Sequence, residues 1–587
     1  MCIAGAPFSL IEYADASRHA REVAAATRSR LMPPWLPEHG VGDFANERRL
    51  SDDHIAIIQR WVDQGAVEGA ASDKPPIPAW PRGWQLGQPD LVLNMADAYT
   101  LPAGQADVFR NFVFQVPLAT TRYVRAIEFR TDSSRVLHHA SVAVDPARLS
   151  RTLDRADQEP GFASMPDDEV QNVFGWSPGK APFMEPADRA WTLEKGSDLV
   201  VQMHLLPGAT PEVIRPAIGL FFTDVAPTRT PVVIALQSKT IDIPAGERNY
   251  VIEDRYVLPA DVELISIYPH AHYLAREMTG NATLPDGRVT PLIRIKAWNF
   301  NWQDRYAYAS PLSLPKGTTL SMRFTYDNSE LNPNRRQRPA RQVSWGPQSS
   351  DEMGALWLEV LPRLAADRAV LMNDYTRRAM QADISSAEMQ ARKSPGAPFA
   401  HNFLAARYLQ AGRISDAVAQ LNEALRLQPD DVEARSNLGI AFQLQGRLGD
   451  AMSELREAAR LKPDDDRVQV NLGNVMQAGG GVDAAAAAYR RAIALNPENA
   501  DAHFNLALIL GPRGQLAEAI AHLRRALVIN PQKADVHRNL GLALSLHGET
   551  DEAIEELQEA LRLQPDSVEA RRTLAEVLSH RADRRPR

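Results

Sequence analysis

The chain has one cysteine, Cys2, in 587 residues. An intrachain disulfide is therefore impossible, as are a cysteine-based zinc site and the Cys-x-x-Cys-His motif that attaches haem c. No apolar run approaches the roughly 18 residues that a membrane-spanning helix needs. Excess positive charge is lacking too. There are 65 Lys and Arg against 73 Asp and Glu, a net charge of -8, which excludes a globally basic nucleic-acid binder. Met1 to Leu10, MCIAGAPFSL, has no early Lys or Arg and is interrupted by Pro7, so it does not read as an export signal. The remainder, 44% hydrophobic and 24% charged, is ordinary for folded protein, and the length implies several domains.

The C-terminal third is periodic. Pro429, Pro463, Pro497, Pro531 and Pro565 recur every 34 residues, as do Gly412, Gly446, Gly480, Gly514 and Gly548. Ala417 and Ala424 recur with the same period through Ala553 and Ala560. A 34-residue unit with small residues at helix crossings resembles the tetratricopeptide repeat, a pair of antiparallel helices. Glycine separates the two helices and proline ends the second. Five repeats and a capping helix, with Asp566-Ser567 at its start, are expected over residues 398–587. Such arrays bind protein partners. Asn437, Asn471, Asn505 and Asn539 share one position, where they either face a peptide groove or bond helix to helix. His503, His522, His537 and His547 share no metal spacing and read as surface residues.

Residues 85–362 alternate in short β-branched runs, among them Phe109 to Val116, Leu199 to His204, Val262 to Ile267 and Leu320 to Tyr326. Pro285-Asp286-Gly287 marks a hairpin. Two antiparallel sandwiches are expected, at 85–227 and 228–362. A helical linker, 363–397, follows. Residues 1–75 read as a small helical unit, with apolar helical spacing over Tyr13 to Ser29 that Met32-Pro33-Pro34-Trp35 breaks, Ser51-Asp52-Asp53 capping a second helix through Val67, and a proline-rich stretch, Pro75 to Pro81, behind it.

Histidine is scarce in this middle region. Between Pro76 and Met389 there are only His138, His139, His204, His270 and His272. Residues two apart on a strand face one way, so His270 and His272 can share an ion. Adjacent His138 and His139 can do so only at a strand end or bulge. Imidazole suits copper, zinc, iron and nickel, and a thioether would favour Cu(I). Met203, Met278, Met322 and Met353 are all candidates for that thioether.

His138-His139, Val200-Val201-Gln202-Met203-His204, His270-Ala271-His272-Tyr273-Leu274 and Ser349-Ser350-Asp351-Glu352-Met353 resemble, in order, the ligand segments of the copper type II, ascorbate-dependent monooxygenases. These are the peptidylglycine α-hydroxylating and dopamine β-monooxygenase group. The resemblance spans about Pro89 to Val360 and implies paired jelly-roll-like domains with two copper ions. His138, His139 and His204 would hold the electron-transfer copper. His270, His272 and Met353 would hold the catalytic copper. The animal enzymes' disulfides have no counterpart here, and no substrate residue can be carried over. Trp298, Asn301, Trp302 and Gln303 form a cluster that either lines a pocket or is structural.

Ala6-Pro7-Phe8-Ser9-Leu10 and Met32-Pro33-Pro34-Trp35 resemble the C-terminal part of a cytochrome c domain fused ahead of such copper domains. The resemblance implies Met32 as an axial ligand, a start truncated just after the haem motif, haem c only in a longer chain, and a periplasmic or extracellular location. The functional expectation is hydroxylation of a C–H bond in a small organic or peptide substrate, with O2 and two one-electron reductions. The electron donor would be ascorbate, haem or a protein, and the repeats would recruit a protein partner. Two other classes stay open: a non-catalytic copper-binding scaffold and a zinc hydrolase.

Overall fold

A computed structural model of the chain describes residues 10, 12–45, 47–73, 83–104, 107–131, 133, 135–163, 171–177, 180, 182–336 and 338–583. The chain divides into two compact units, residues 1–144 with 150–382, and residues 145–149 with 383–587.

The first unit is rich in antiparallel strands. One sheet orders Val108–Gln115, Asp198–Leu205, Leu137–Asp145 and Gln171–Trp176. A second orders Leu91–Asn94, Ala217–Thr223, Arg122–Arg130 and Trp191–Leu193. Alternate residues of both sheets, including Phe112, Phe114, Val124, Ile127, Leu199, Val201, Ile218 and Leu220, bury into one core. That is the packing of a sandwich, in which the period-2 apolar pattern of each strand faces its opposite sheet.

A second sandwich repeats the arrangement. Val232–Gln237, Gly354–Pro362, Val262–Ala271 and Tyr306–Leu314 form one sheet, and Tyr250–Val257, Thr319–Tyr326, Ala275–Thr283 and Val289–Ile295 the other. The Pro285-Asp286-Gly287 hairpin joins Ala275–Thr283 to Val289–Ile295. Gly287 takes φ +85°, a conformation costly for any side chain.

The N-terminal segment differs from its sequence reading in two places. The helix expected over Tyr13 to Ser29 is two helices, Tyr13–Arg18 and Ala20–Arg28, interrupted at His19, which leaves helical geometry at φ -103°, ψ 16°. The next helix, capped by the Ser51 hydroxyl accepting from the His54 N–H, runs Asp52–Asp63 and not to Val67. The chain turns there through Gly65 and Ala66, both at positive φ. Phe44 is part of the second sandwich's core, with Trp35 and Leu36 packed against it. This piece is too small for a strong core of its own and borrows one. Cys2, Ala6 to Ser9 and the Pro75 to Pro81 stretch lie outside the described residues.

In the second unit five helix pairs follow one another: Pro398–Gln410 with Ile414–Leu427, Val432–Leu444 with Leu448–Leu461, Asp466–Ala478 with Val482–Leu495, Ala500–Leu510 with Leu516–Ile529, and Ala534–His547 with Thr550–Leu563. Val568–Asp583 closes the array, its start capped by the Ser567 hydroxyl accepting from the Ala570 N–H at 3.3 Å. The five periodic glycines all take positive φ between the helices of a pair, and the periodic alanines Ala417, Ala451, Ala485, Ala519 and Ala553 are buried at the crossings.

Candidate metal centre

His138 and His139 lie at the start of Leu137–Asp145, the strand end that adjacent histidines need to converge. His204 lies on the neighbouring strand. The three side chains each offer a nitrogen within 4.8 Å of the others. The Nδ1 atoms of His138 and His139 are 3.1 Å apart. Two imidazole nitrogens bound to one ion at about 2.0–2.1 Å each would stand at a similar separation.

Asp107 fixes the third ring. His204 Nε2 meets Asp107 Oδ2 at 3.0 Å. Burial lowers the pKa of His204 despite that carboxylate, so the ring is neutral, and Nε2 carries the proton it donates. Nδ1 is then a bare lone pair, and it is buried with no partner. An orphaned acceptor beside two other imidazoles suits a metal ion, and a carboxylate on the far nitrogen is the usual second support of a metal-binding histidine. Burial, reinforced by the other histidines, drops His138 to about 3 and takes His139 well below its ordinary value. All three rings are held in the neutral, metal-binding form.

His270 and His272 come from the end of Val262–Ala271. Their ring centroids are 5.3 Å apart with planes at 89°. His270 Nδ1 donates to Gln303 Oε1, and His272 Nδ1 donates to the Asp351 carbonyl at 3.1 Å. Each ring therefore presents Nε2 as a lone pair. Burial lowers His270 to about 4 and His272 to about 3. The strand partner sets the third member. His270 pairs with Ala355 and Ala271 with Gly354, so the register places Met353 opposite His272. The Met353 backbone is fixed by the Tyr326 hydroxyl, which donates to its carbonyl at 2.9 Å. Met353 is half-buried, whereas Met203, Met278 and Met322 are fully buried in the sandwich cores. Glu352 ties the segment together by accepting from the N–H groups of His272, Leu274 and Met353. Burial pushes its carboxyl up to about 8 even so.

Asp107 and Phe300 are not among the residues that the sequence singles out, while Glu352 belongs to the Ser349-Ser350-Asp351-Glu352-Met353 segment and Gln303 to the cluster with Trp298, neither with a definite role there. The Phe300 ring stacks on His138 at 4.4 Å and meets His272 edge-on at 5.5 Å. One buried ring thus separates the two histidine sets. In the cluster around it, Trp298 is buried and donates to the His272 carbonyl at 3.0 Å, Gln303 holds His270, and Asn301 is exposed. Proximity to Trp298 in a Trp-Asn-Phe-Asn-Trp-Gln run was the only sequence signal for Phe300. Met32 sits in the turn that ends Ala20–Arg28, half-buried, its N–H on the Ala26 carbonyl at 3.2 Å.

In the repeats, the asparagines bond helix to helix: Asn437 Nδ2 to Asn402, Asn471 to Ser436 and Asn505 to Asn474, at 2.9–3.0 Å, while Asn539 turns back on its own helix. His503 and His537 are buried, not surface residues. Their Nε2 atoms meet the carbonyls of Pro497 and Pro531, six residues earlier. His401 does the same to Pro395, and Arg435 and Arg571 to Pro429 and Pro565. The histidines are one solution to a recurrent need: a donor for the carbonyl of the turn proline.

Family models of the tetratricopeptide repeat match residues 470–534 and 513–577, and a model of the TPR repeat matches 405–446. The C-terminal region is a tetratricopeptide-repeat array. Arrays of such repeats present an extended surface that suits a protein partner. Among solved structures, the array is similar to YrrB, described as a TPR protein with an unusual peptide-binding site, at 21% identity over 32% of this chain and 96% of that one, TM-score 0.26. MamA matches at 26% identity over 28% and 95%, TM-score 0.25. PilF of Pseudomonas aeruginosa matches at 21% identity over 35% and 93%, TM-score 0.31. No curated protein matches the chain. Among the described residues, no helix is long and apolar enough to cross a membrane.

Proposed function

We propose that the strand-rich unit is a copper-dependent monooxygenase of the type II, ascorbate-dependent kind, built on two jelly-roll-like domains and joined to the repeat platform. The observation that carries it is the pairing of two buried imidazole sets on either side of Phe300, with the far nitrogens of His204, His270 and His272 tied down by Asp107, Gln303 and the Asp351 carbonyl. Neutral imidazoles with fixed tautomers are what a soft, redox-active ion requires, and the half-buried thioether at Met353 favours copper over zinc. His138, His139 and His204 would hold the electron-transfer ion, and His270, His272 and Met353 the ion at which a C–H bond is hydroxylated. Bound copper would supply the two one-electron reductions and the activation of O2.

The remaining tasks fall to the chain. Asp107 holds the proton of His204 at Nε2 and keeps Nδ1 free. Gln303 and the Asp351 carbonyl do the same for His270 and His272 through Nδ1. Glu352 fixes the backbone on which His272 and Met353 face each other. Phe300 packs one ring against a histidine of each set and so fixes both rings' faces. Cys2 alone cannot supply the two thioether links of haem c, and Met32 is proposed as an axial ligand only for a longer chain. The family resemblance of the histidine and N-terminal segments is the ground for proposing a periplasmic or extracellular location as well.

X-ray absorption on the reduced, copper-loaded protein tests the reading. Two ions per chain are expected, with a sulfur scatterer on about half of the copper. A single ion, or no sulfur, rejects the assignment.

A further inference from the structure

A cleft open to solvent lies in the second sandwich, lined by Tyr273, Asn328, Arg335, Arg341, Ser349 and Asp351, among others. The room enclosed within it is about 30 Å³, so only a group of a few atoms fits inside. Its polar groups are incompletely satisfied. Arg335 is 6% exposed, and its Nη2 has no hydrogen-bond partner. Nη1 faces Glu330 at 3.0 Å, so half of this guanidinium is answered and half is not. The Tyr273 hydroxyl is also buried and unpartnered, as is Asn328 Oδ1. Each buried donor left unsatisfied costs about 1–3 kcal/mol, and a native fold seldom keeps several in one place without a use.

The surrounding charge says what the use is. Arg336 also lines the cleft, with its guanidinium 4.2 Å over the Tyr273 ring. Among the described residues, neither Arg336 nor Arg341 has an ion-pair partner. Three arginines thus face one lining carboxylate, Asp351, with Glu330 answering part of Arg335. The balance is positive but small, which favours a monoanion over a dianion. A guanidinium and a phenol lining one cleft can each donate to an oxygen of a carboxylate.

We propose that this cleft binds a small carboxylate anion, held by Arg335 and Tyr273 at its inner end and by Arg341 at its mouth. The site does not depend on the copper reading. Its wall does reach the three-histidine set, because the Ser349 N–H donates to Asp107 Oδ2 at 3.1 Å, the same oxygen that meets His204.

The test is a titration of the metal-free full chain with ¹³C-acetate, followed by ligand line broadening, with inorganic phosphate and chloride as competitors. Saturable acetate binding is expected. Arg341→Gln and Tyr273→Phe should each weaken it about fivefold or more. Arg323→Gln, an exposed arginine paired with Glu253 elsewhere on the sandwich, should leave it unchanged. Arg341 is exposed, so its replacement does not threaten folding and stands as the deciding variant should Tyr273→Phe misfold. No saturation, no effect of Arg341→Gln, an equal effect of Arg323→Gln, or displacement of acetate by equimolar phosphate or chloride would each overturn the proposal.

Discussion

At the residue scale, equal histidines do unequal work because their neighbours differ. His270→Ala should abolish oxygen activation, since it removes a ligand of the methionine-bearing set. On the proposed copper reading, His139→Ala should leave oxygen binding intact and block turnover, because the second electron would come from the other set. Oxygen uptake and single-turnover product yield on the two variants check this split. If both variants lose all copper and unfold, the sites are structural. The repeats offer a contrast within one position. Burial opposes charge on His537, but the Glu556 carboxylate at 2.5 Å, the Pro531 carbonyl and the nearby Glu559 together outweigh it and raise the pKa above the usual histidine value. Its stabilising contribution is present below pH 6.5, the unfolded value, and fades as pH rises through the higher folded value. His503 faces His522 instead of a carboxylate, and burial lowers it, so its protonation costs stability as pH falls below 6.5. Urea midpoints at pH 5.5 and 8.5 should show His537→Gln losing more at the acid value, and His503→Gln gaining on wild type there.

At the element scale, two glycines are required by what lies opposite. A Cβ at Gly354 would meet Ile252 and the hydroxyl of Tyr326, the group that holds the Met353 carbonyl. Gly354→Ala should therefore destabilise the second sandwich by about 1–3 kcal/mol and lower copper loading at the methionine-bearing set. Copper stoichiometry alongside chemical denaturation separates the two effects. Gly439, Gly473 and Gly541 share one place on the first helix of their repeats, where Ala507 stands in the fourth. A Cβ at Gly473 would meet the ring of Tyr489, which is fully buried with its hydroxyl fixed by Asn474 and Gln477. Gly473→Ala should thus destabilise the array despite the ~1 kcal/mol gain in helix propensity, because the ring has nowhere to move. Thermal melting of the array reads the sign directly.

At the scale of the whole molecule, the helix Asp367–Lys393 serves both units with different halves. In the strand-rich unit, the Asp374 carboxylate accepts from the Tyr256 hydroxyl, and the Tyr375 hydroxyl from the Ala235 N–H, both at 3.0 Å. In the repeat unit, Glu388 accepts from Tyr408 at 2.8 Å and pairs with Arg413. A cut near Ser394 should leave a strand-rich fragment that still takes up copper and an array that folds without metal, since each repeat packs on its neighbours alone. An array starting at Asp383 should melt higher than one starting at Ser394, by the contacts of Glu388. Circular dichroism on the two arrays and copper analysis on the strand-rich fragment check both statements. Loss of copper from that fragment would show that the helices complete the site.

The sequence by itself determined the repeats, the strand-rich middle and the five histidines, because each rests on a local signal. A 34-residue period, a period of two and a count of one scarce residue need no knowledge of distant contacts. Tertiary structure decided what lies beside those residues. Asp107 reaches His204 from 97 positions away, and Glu352 reaches the His272 N–H from 80, and no short-range pattern records such a pairing. His503 and His537 read as surface because a polar side chain on an amphipathic helix ordinarily faces water. They are buried because the carbonyl of a proline six residues back needs a donor. Phe300 looked like one more aromatic in a run of them. Only the closing of the two sandwiches around it puts that ring between His138 and His272.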